Sequence, residues 1–363
     1  MKNAFICWTP YHIMVSVHMS QTMYKYYEND IYIISYFDNA SNLSAKIKEV
    51  GIFKDVYNVE GELPKVGVIR KLKKLYNLLR RKFAGIDKIP AFYDQISTFS
   101  LSPHLTRVLG GMVIERGGKI VILEEGLGSY NGNLFSEKKS DILLEKVSKL
   151  FNRMICSTGY RNISKHYYFQ PELVIGIDNS CKLRIPSISS NPRLKNVLNE
   201  IFEYKSERKF SDIDFILFDQ PIVNDGIVEI NVDEDTLTSA IISELSIGNY
   251  LIKLHPRDES NKYAHLDIKS ESIINSHYPW ELVYLNENLE ETILISIMSS
   301  ASFSPNIVFN NVHKIILLYK MVGIQNEDFE VFIKEFRQIT KSKIIMPESF
   351  EEFQHWLSGY CAK

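Results

Sequence analysis

The sequence predicts an α/β protein of two domains, each a parallel sheet covered by helices. Three observations predict it. At 363 residues the chain is longer than one hydrophobic core usually serves. Short apolar runs alternate with helical stretches in two separate series, which is the pattern of parallel sheets with covering helices. Between the series, Asn179 to Asp212 carries Pro186, Ser187, Ser189, Ser190 and Pro192 and then a charged helix.

In the first series, Ala4 to Cys7 is a strand and Trp8-Thr9-Pro10 the turn after it. Tyr11 to Tyr26 is helical, with Ile13, Met14 and Val17 on one side. Asp30 to Tyr36 is a strand, Leu43 to Val50 a helix and Phe53 to Val59 a strand. Lys65 to Lys88 is a basic amphipathic helix, which suits either an anionic membrane surface or the protein's own core. Ala91 to Ser100 follows as a strand. Pro103 to Arg116 is a helix with proline in its first turn and Gly117-Gly118 past its end. Lys119 to Leu123 is a strand, Asp141 to Arg153 a helix, and Tyr167 to Ile177 contains a strand.

The second series opens with the strand Ile213 to Phe218 and the helix Thr236 to Leu245. Tyr250 to Leu254 is a strand that stops at His255-Pro256, because proline cannot donate to a ladder. Leu282 to Leu285 is expected as a strand, Leu289 to Met298 as a helix, Ala301 to Ser304 and His313 to Tyr319 as strands, and Ser349 to Tyr360 as a terminal helix. The domains are placed at 1–190 and 213–345, with a linker at 191–212 and a terminal segment at 346–363.

Composition removes several function classes. With 45% hydrophobic and 24% charged residues the chain is an ordinary folded one. A net charge of -2 argues against a general nucleic-acid binder. Cys7, Cys156, Cys181 and Cys361 are far apart, with neither zinc nor disulfide spacing, so reduced thiols and a cytoplasmic chain are expected. The apolar run at the N-terminus is too short for a signal sequence or a membrane span and reads as a strand.

Chemistry-bearing residues stand at strand ends, where α/β proteins hold ligands. Glu124-Glu125-Gly126 follows a strand directly, and one acid of such a pair can act as a general base. Gly126-Leu127-Gly128 is no dinucleotide loop, because Asn131 stands where the third glycine is required. His255 and Arg257 end the strand that begins at Tyr250. Glu281, in Pro279-Trp280-Glu281, can accept from ribose hydroxyls. Ser299-Ser300 can hold a phosphate if a short helix begins after it. A base on one wall and a phosphate site on the other suit transfer of a sugar from a nucleotide donor to a hydroxyl.

Glu124-Glu125-Gly126, His255-Pro256 and Ser299-Ser300, in that order, resemble the three signatures of bacterial sialyltransferases. Pro279-Trp280-Glu281 is similar to their ribose-binding segment. Cys7 to His12 and Leu217 to Pro221 resemble glycosyltransferase family 52, the lipooligosaccharide and capsule sialyltransferase group. Two departures stand out. Family 52 often has Asp-Asp where this chain has Glu-Glu, a pair that also occurs in the related polysialyltransferases, and Asp219 replaces a small residue.

The resemblance implies a GT-B fold, two Rossmann-like domains facing across a cleft, with the terminal helix crossing back to the N-terminal acceptor domain. It implies metal-independent, inverting transfer of sialic acid from CMP-sialic acid to a galactoside of a bacterial surface glycan, α-2,3-linked. Glu124 would be the base, with Glu125 the fallback and Asp225 a weaker candidate. His255 would serve the departing phosphate. Pro256, Glu281, Ser299, Ser300 and Gly126 would bind the donor. No metal and no cofactor beyond the donor substrate are expected. The expected partners are the donor, the glycan, the inner membrane surface through Lys65 to Lys88, and a second copy of the chain. The same residues leave open another GT-B donor (CMP-Kdo, a UDP-sugar or CDP-glycerol) and a non-catalytic nucleotide-sugar binder.

Overall fold

The computed structural model describes residues 1–61, 80, 82–85, 92–130, 139–150, 154–157, 162–206, 210–220, 234–255, 263, 265, 268, 272–274 and 278–361. It divides into two compact units, Met1–Tyr204 and Lys205–Lys363.

The first unit is built on seven strands: β1 (Lys2–Cys7), β2 (Glu28–Ser35), β3 (Val56–Glu60), β4 (Gln95–Thr98), β5 (Lys119–Leu123), β6 (Lys165–Tyr168) and β7 (Lys182–Arg184). Their order is β3-β2-β1-β4-β5-β6-β7, parallel at every pairing. The central strand explains the arrangement. Ala4, Phe5, Ile6 and Cys7 of β1 are fully buried, as a strand covered on both faces requires. In register, Phe5 lies between Ile31 and Ser97.

Among the described residues, five helices accompany this sheet: α1 (Pro10–Gln21), α2 (Ala40–Val50), α3 (His104–Ile114), α4 (Lys139–Leu150) and α5 (Leu194–Phe202). The sequence predicts one apolar side for α1, but all residues from His12 to Ser20 are buried. Two of its small polar groups find partners inside. Ser16 Oγ and Cys7 Sγ are 3.2 Å apart, and Ser20 donates to the Val17 carbonyl. α5 packs on α2 and α1, so the first half of the expected 191–212 linker belongs to this unit.

The second unit contains β8 (Phe215–Phe218), β9 (Tyr250–Lys253), β10 (Ile273–Ile274), β11 (Ile293–Ser296), β12 (Lys314–Leu317) and β13 (Lys343–Ile345). They run β10-β9-β8-β11-β12-β13, again all parallel. The helices are α6 (Glu234–Leu245), α7 (Trp280–Asn286), α8 (Ser304–Val308), α9 (Glu327–Thr340) and α10 (Phe350–Cys361). Phe303 packs edge-on against Phe329, Phe332 and Phe336 of α9, which ties that helix to the sheet.

Three expectations change here. The predicted strand over Leu282–Leu285 is α7. The predicted helix over Leu289–Met298 contains β11, which Ile293, Leu294 and Ile295 bury completely between β8 and β12. The predicted strand over Ala301–Ser304 is a 3-10 turn, Ser300–Phe303, leading into α8. The terminal helix makes contacts inside its own unit. Gln354 donates to Glu244 of α6, Tyr360 donates to the Glu291 carbonyl, and the Tyr360 ring meets Phe215.

Both sheets start mid-sheet, build to one edge, and return to build the other. The order reverses between β1 and β4 in one unit and between β8 and β11 in the other. The carboxyl ends of the strands at such reversals are the usual ligand positions. No helix among the described residues is long and apolar enough to cross a membrane.

Candidate active site

In the first unit the reversal point gathers three loops. Trp8-Thr9-Pro10 follows β1, Phe99 follows β4, and Glu124-Glu125-Gly126 follows β5. Thr9 caps α1, its hydroxyl accepting the His12 N–H at 3.2 Å, and Pro10 is set for the first turn. This start places His12 in the first turn of the helix, beside the strand ends. The His12 ring stacks on Phe99 at 3.8 Å and meets Trp8 edge-on at 4.4 Å. The Trp8 N–H donates to Nδ1 at 3.3 Å, which assigns the proton of the neutral ring to Nε2. That nitrogen lies 3.4 Å from Oε1 of Glu125. Burial lowers the His12 pKa below 6.5, and the neighbouring Glu125 only partly opposes it.

The two acids of the pair differ in kind. Glu124 is 1% exposed. Its Oε2 accepts from the Tyr130 hydroxyl at 2.5 Å and from the Phe169 N–H at 2.8 Å. Burial and the adjacent Glu124 carboxylate push the Tyr130 phenol well above its ordinary value, so it stays a donor. Glu125 is the open one, with 41% of its side chain exposed. Its backbone N–H donates to Ser129 Oγ at 2.8 Å, which fixes the loop but leaves the carboxylate outward. Gly126 has a φ of 119°, a conformation L-residues rarely adopt, and this is the physical reason glycine closes the triplet. Glu124 is therefore tied to the surrounding backbone and Tyr130, and Glu125 presents an open carboxylate.

In the second unit His255 follows β9 by two residues and is half-buried. Lys253, the last residue of β9, is buried, and Glu281 in the first turn of α7 is 8% exposed. Burial lowers the Lys253 pKa to about 8, partly opposed by Glu281. Burial likewise raises Glu281, opposed by Ser304 and Lys253. Ser304 Oγ donates to Glu281 Oε1 at 2.6 Å. Glu281 is thus a buried, hydrogen-bonded acid on a helix, not an open acid at a strand start.

At the reversal of the second sheet, Ser299 caps the 3-10 turn, and its Oγ accepts the Ala301 N–H at 3.3 Å. Ser299 N–H donates to Ser296 Oγ at 3.2 Å, and Ser300 is exposed. Gln220, two residues past β8, accepts the Met298 N–H at 2.6 Å and ties the β8 and β11 ends together.

Pro256, Arg257, Asp225 and most of the segment from Lys65 to Lys88 lie outside the described residues, so the roles given them rest on sequence. His12 is the functional candidate the sequence reading leaves out. Its signal was present in the Thr9-Pro10 helix start just after the first strand. Among the described residues, no group of three or more His, Cys, Asp or Glu is arranged to hold a metal ion.

Comparison with known proteins places this arrangement. Over its full length the chain matches the kitacinnamycin glycotransferase (TM-score 0.53, 11% identity, 91% of that chain covered). It also matches a protein assigned as a UDP-N-acetylglucosamine 2-epimerase from Listeria monocytogenes (TM-score 0.51, 11% identity, 88% covered). At such identity these similarities speak for the fold alone, which is GT-B, with two Rossmann-like units. No curated protein matches the sequence. A sequence model of the alpha-2,8-polysialyltransferase family matches residues 3–319, a span that contains His12, both acids, His255 and the serine pair. The chain therefore belongs to the alpha-2,8-polysialyltransferase family, not demonstrably to family 52, and is a glycosyltransferase of the bacterial sialyltransferase type.

Proposed function

We propose that the protein transfers sialic acid from CMP-sialic acid to a glycan hydroxyl with inversion, forming an α-2,8 bond to a sialic acid acceptor. The observation that carries this is the family match across residues 3–319, which takes in the candidate base of the first unit and the phosphate-side residues of the second. The family description favours α-2,8 over the α-2,3 linkage expected from sequence.

Glu125 takes the proton of the acceptor hydroxyl as that oxygen attacks the anomeric carbon. The bond to the CMP phosphate breaks, and negative charge builds on the departing phosphate. His255 donates a proton or hydrogen bond to it, and Ser299 and Ser300 hold it with hydroxyl and backbone donors. Glu281 enters as the buried acid that orders Lys253 and Ser304, and the ribose role falls to other groups. Such donors help where charge develops, so the proposal needs no metal.

The test is incubation with CMP-sialic acid and an oligosialic acid primer in the presence of EDTA. Lengthened primer supports the proposal, and release of CMP without primer growth would leave a hydrolase in its place. Membrane docking through Lys65 to Lys88 is part of the same proposal and is read by flotation with anionic liposomes. Unchanged flotation after replacing the basic residues removes it.

A further inference from the structure

The mechanism above uses Glu125 but not the imidazole beside it, and the placement of His12 is unusual for a core histidine. Core histidines usually spend both ring nitrogens on internal partners. His12 spends only Nδ1 that way, on the Trp8 N–H, and turns Nε2 toward an exposed carboxylate 3.4 Å away. The ring has no freedom to do otherwise. Phe99 covers one face at 3.8 Å with planes 7° apart, and Trp8 meets it edge-on. The helix start at Thr9 fixes its backbone.

We infer that His12 is a positioning residue for Glu125: the neutral imidazole offers Nε2–H to one carboxylate oxygen and leaves the other turned to the acceptor hydroxyl. The inference rests on the proposed role of Glu125 as base. His12 transfers no proton itself; the acceptor proton goes to Glu125. A neutral donor suits this task better than lysine or arginine. A fixed cation beside the acid would hold its pKa down and weaken it as a base, whereas a neutral N–H orients it with a smaller effect. The titratable groups near the ring are Glu125, from the loop after β5, and Tyr11, from its own helix at 6.4 Å between ring centroids. The wall formed by Trp8 and Phe99, after β1 and β4, is uncharged. The 3.4 Å separation is long for a hydrogen bond, and such contacts often tighten only when substrate is bound.

Two measurements test this, one of them without substrate. In protein labelled with 15N-histidine at pH 7.5, His12 should show the pattern of a neutral ring protonated at Nε2. Its Nε2 signal should move in Glu125→Gln. A ring protonated at Nδ1, a cationic ring, or signals indifferent to Glu125→Gln would overturn the inference whatever the substrate is.

In sialic acid transfer, His12→Phe keeps the stack on Phe99 but loses the donor. It should lower kcat by about 10- to 100-fold, the cost of a misplaced reacting group, with KM for the donor within about twofold. His12→Gln can place an amide N–H near the Nε2 position and should recover most of the loss. Wild-type turnover in His12→Phe, or equal loss in both variants, would overturn the inference. Should His12→Phe fail to fold, the Gln variant and the labelled wild type still decide. Absence of transfer by the wild type would count against the proposed function, and the histidine signals would then decide the contact alone.

Discussion

Glu124→Ala and Glu125→Gln should fail in opposite ways, although the residues are adjacent. Removing the Glu124 carboxylate leaves two buried donors, the Tyr130 hydroxyl and the Phe169 N–H, without their acceptor. Each buried unsatisfied group costs about 1–3 kcal/mol, so the variant should lose about 2–6 kcal/mol. For a unit the size of Met1–Tyr204 that corresponds to a fall of about 4–24 °C in the unfolding midpoint. Glu125 has an open carboxylate, and its Gln variant should stay within about 0.5 kcal/mol of wild type. Its turnover should fall about 100- to 10,000-fold, the range for loss of a general base. The assay pairs thermal and urea unfolding with initial rates of sialic acid transfer at a temperature where Glu124→Ala is folded. A Glu124→Ala variant as stable as wild type, or a Glu125→Gln variant with more than a tenth of wild-type turnover, would refute the assignment.

Three further outcomes follow from the same geometry. His255→Ala should lose about 100-fold in turnover, with its unfolding midpoint within about 2 °C of wild type; turnover at the wild-type level would take His255 out of the mechanism. Gly126→Ala forces a Cβ onto a backbone with φ of 119°, which should cost about 1–2 kcal/mol and misdirect Glu125. Calorimetry and rate together read this, and an unchanged midpoint contradicts it. His18 and His166 are buried, and burial lowers each to about 4. The unfolded rings take up protons near pH 6.5 while the folded ones resist until about pH 4. The unfolded state therefore holds more protons in that window, and stability falls as pH drops through it. Each ring contributes up to about 3 kcal/mol, and the urea midpoint should decline from pH 7 to pH 5, less steeply in His166→Gln. A midpoint that is flat over that range contradicts the assignment.

How much of this was legible in the sequence depended on how strongly each stretch was constrained. β1, β2, β5 and β9 read correctly because each is a continuous apolar run bounded by turn residues. β11 and α7 exchanged types for a physical reason. Ile293-Leu294-Ile295 and Leu282-Val283-Tyr284 are both short runs buried on all sides, and periodicity cannot separate a buried strand from a buried helix turn over so few residues. The helix α9 carried a usable signal that went unread, since Phe329, Phe332, Ile333 and Phe336 recur at helical spacing and are the residues that pack. The triplet Glu124-Glu125-Gly126 was found from sequence, but the division into one buried and one open acid was not. That division depends on Tyr130 and Phe169, and Phe169 lies 45 residues away in the chain. For His12 the sequence offered only the Thr9-Pro10 helix start, because its partner Glu125 is brought to it by the pairing of β1, β4 and β5. The helix expected over Lys65 to Lys88 lies mostly outside the described residues.

The central claim is the identity of the transferred sugar and the bond it makes. Protein incubated with CMP-sialic acid and an oligosialic acid primer, with EDTA present, should lengthen the primer by sialic acid units. NMR of the product should show each new bond as α-2,8. Primer that stays unextended while a UDP-sugar, CMP-Kdo or CDP-glycerol is consumed in its place would contradict the account, as would sialic acid delivered instead to the 3-hydroxyl of a galactoside.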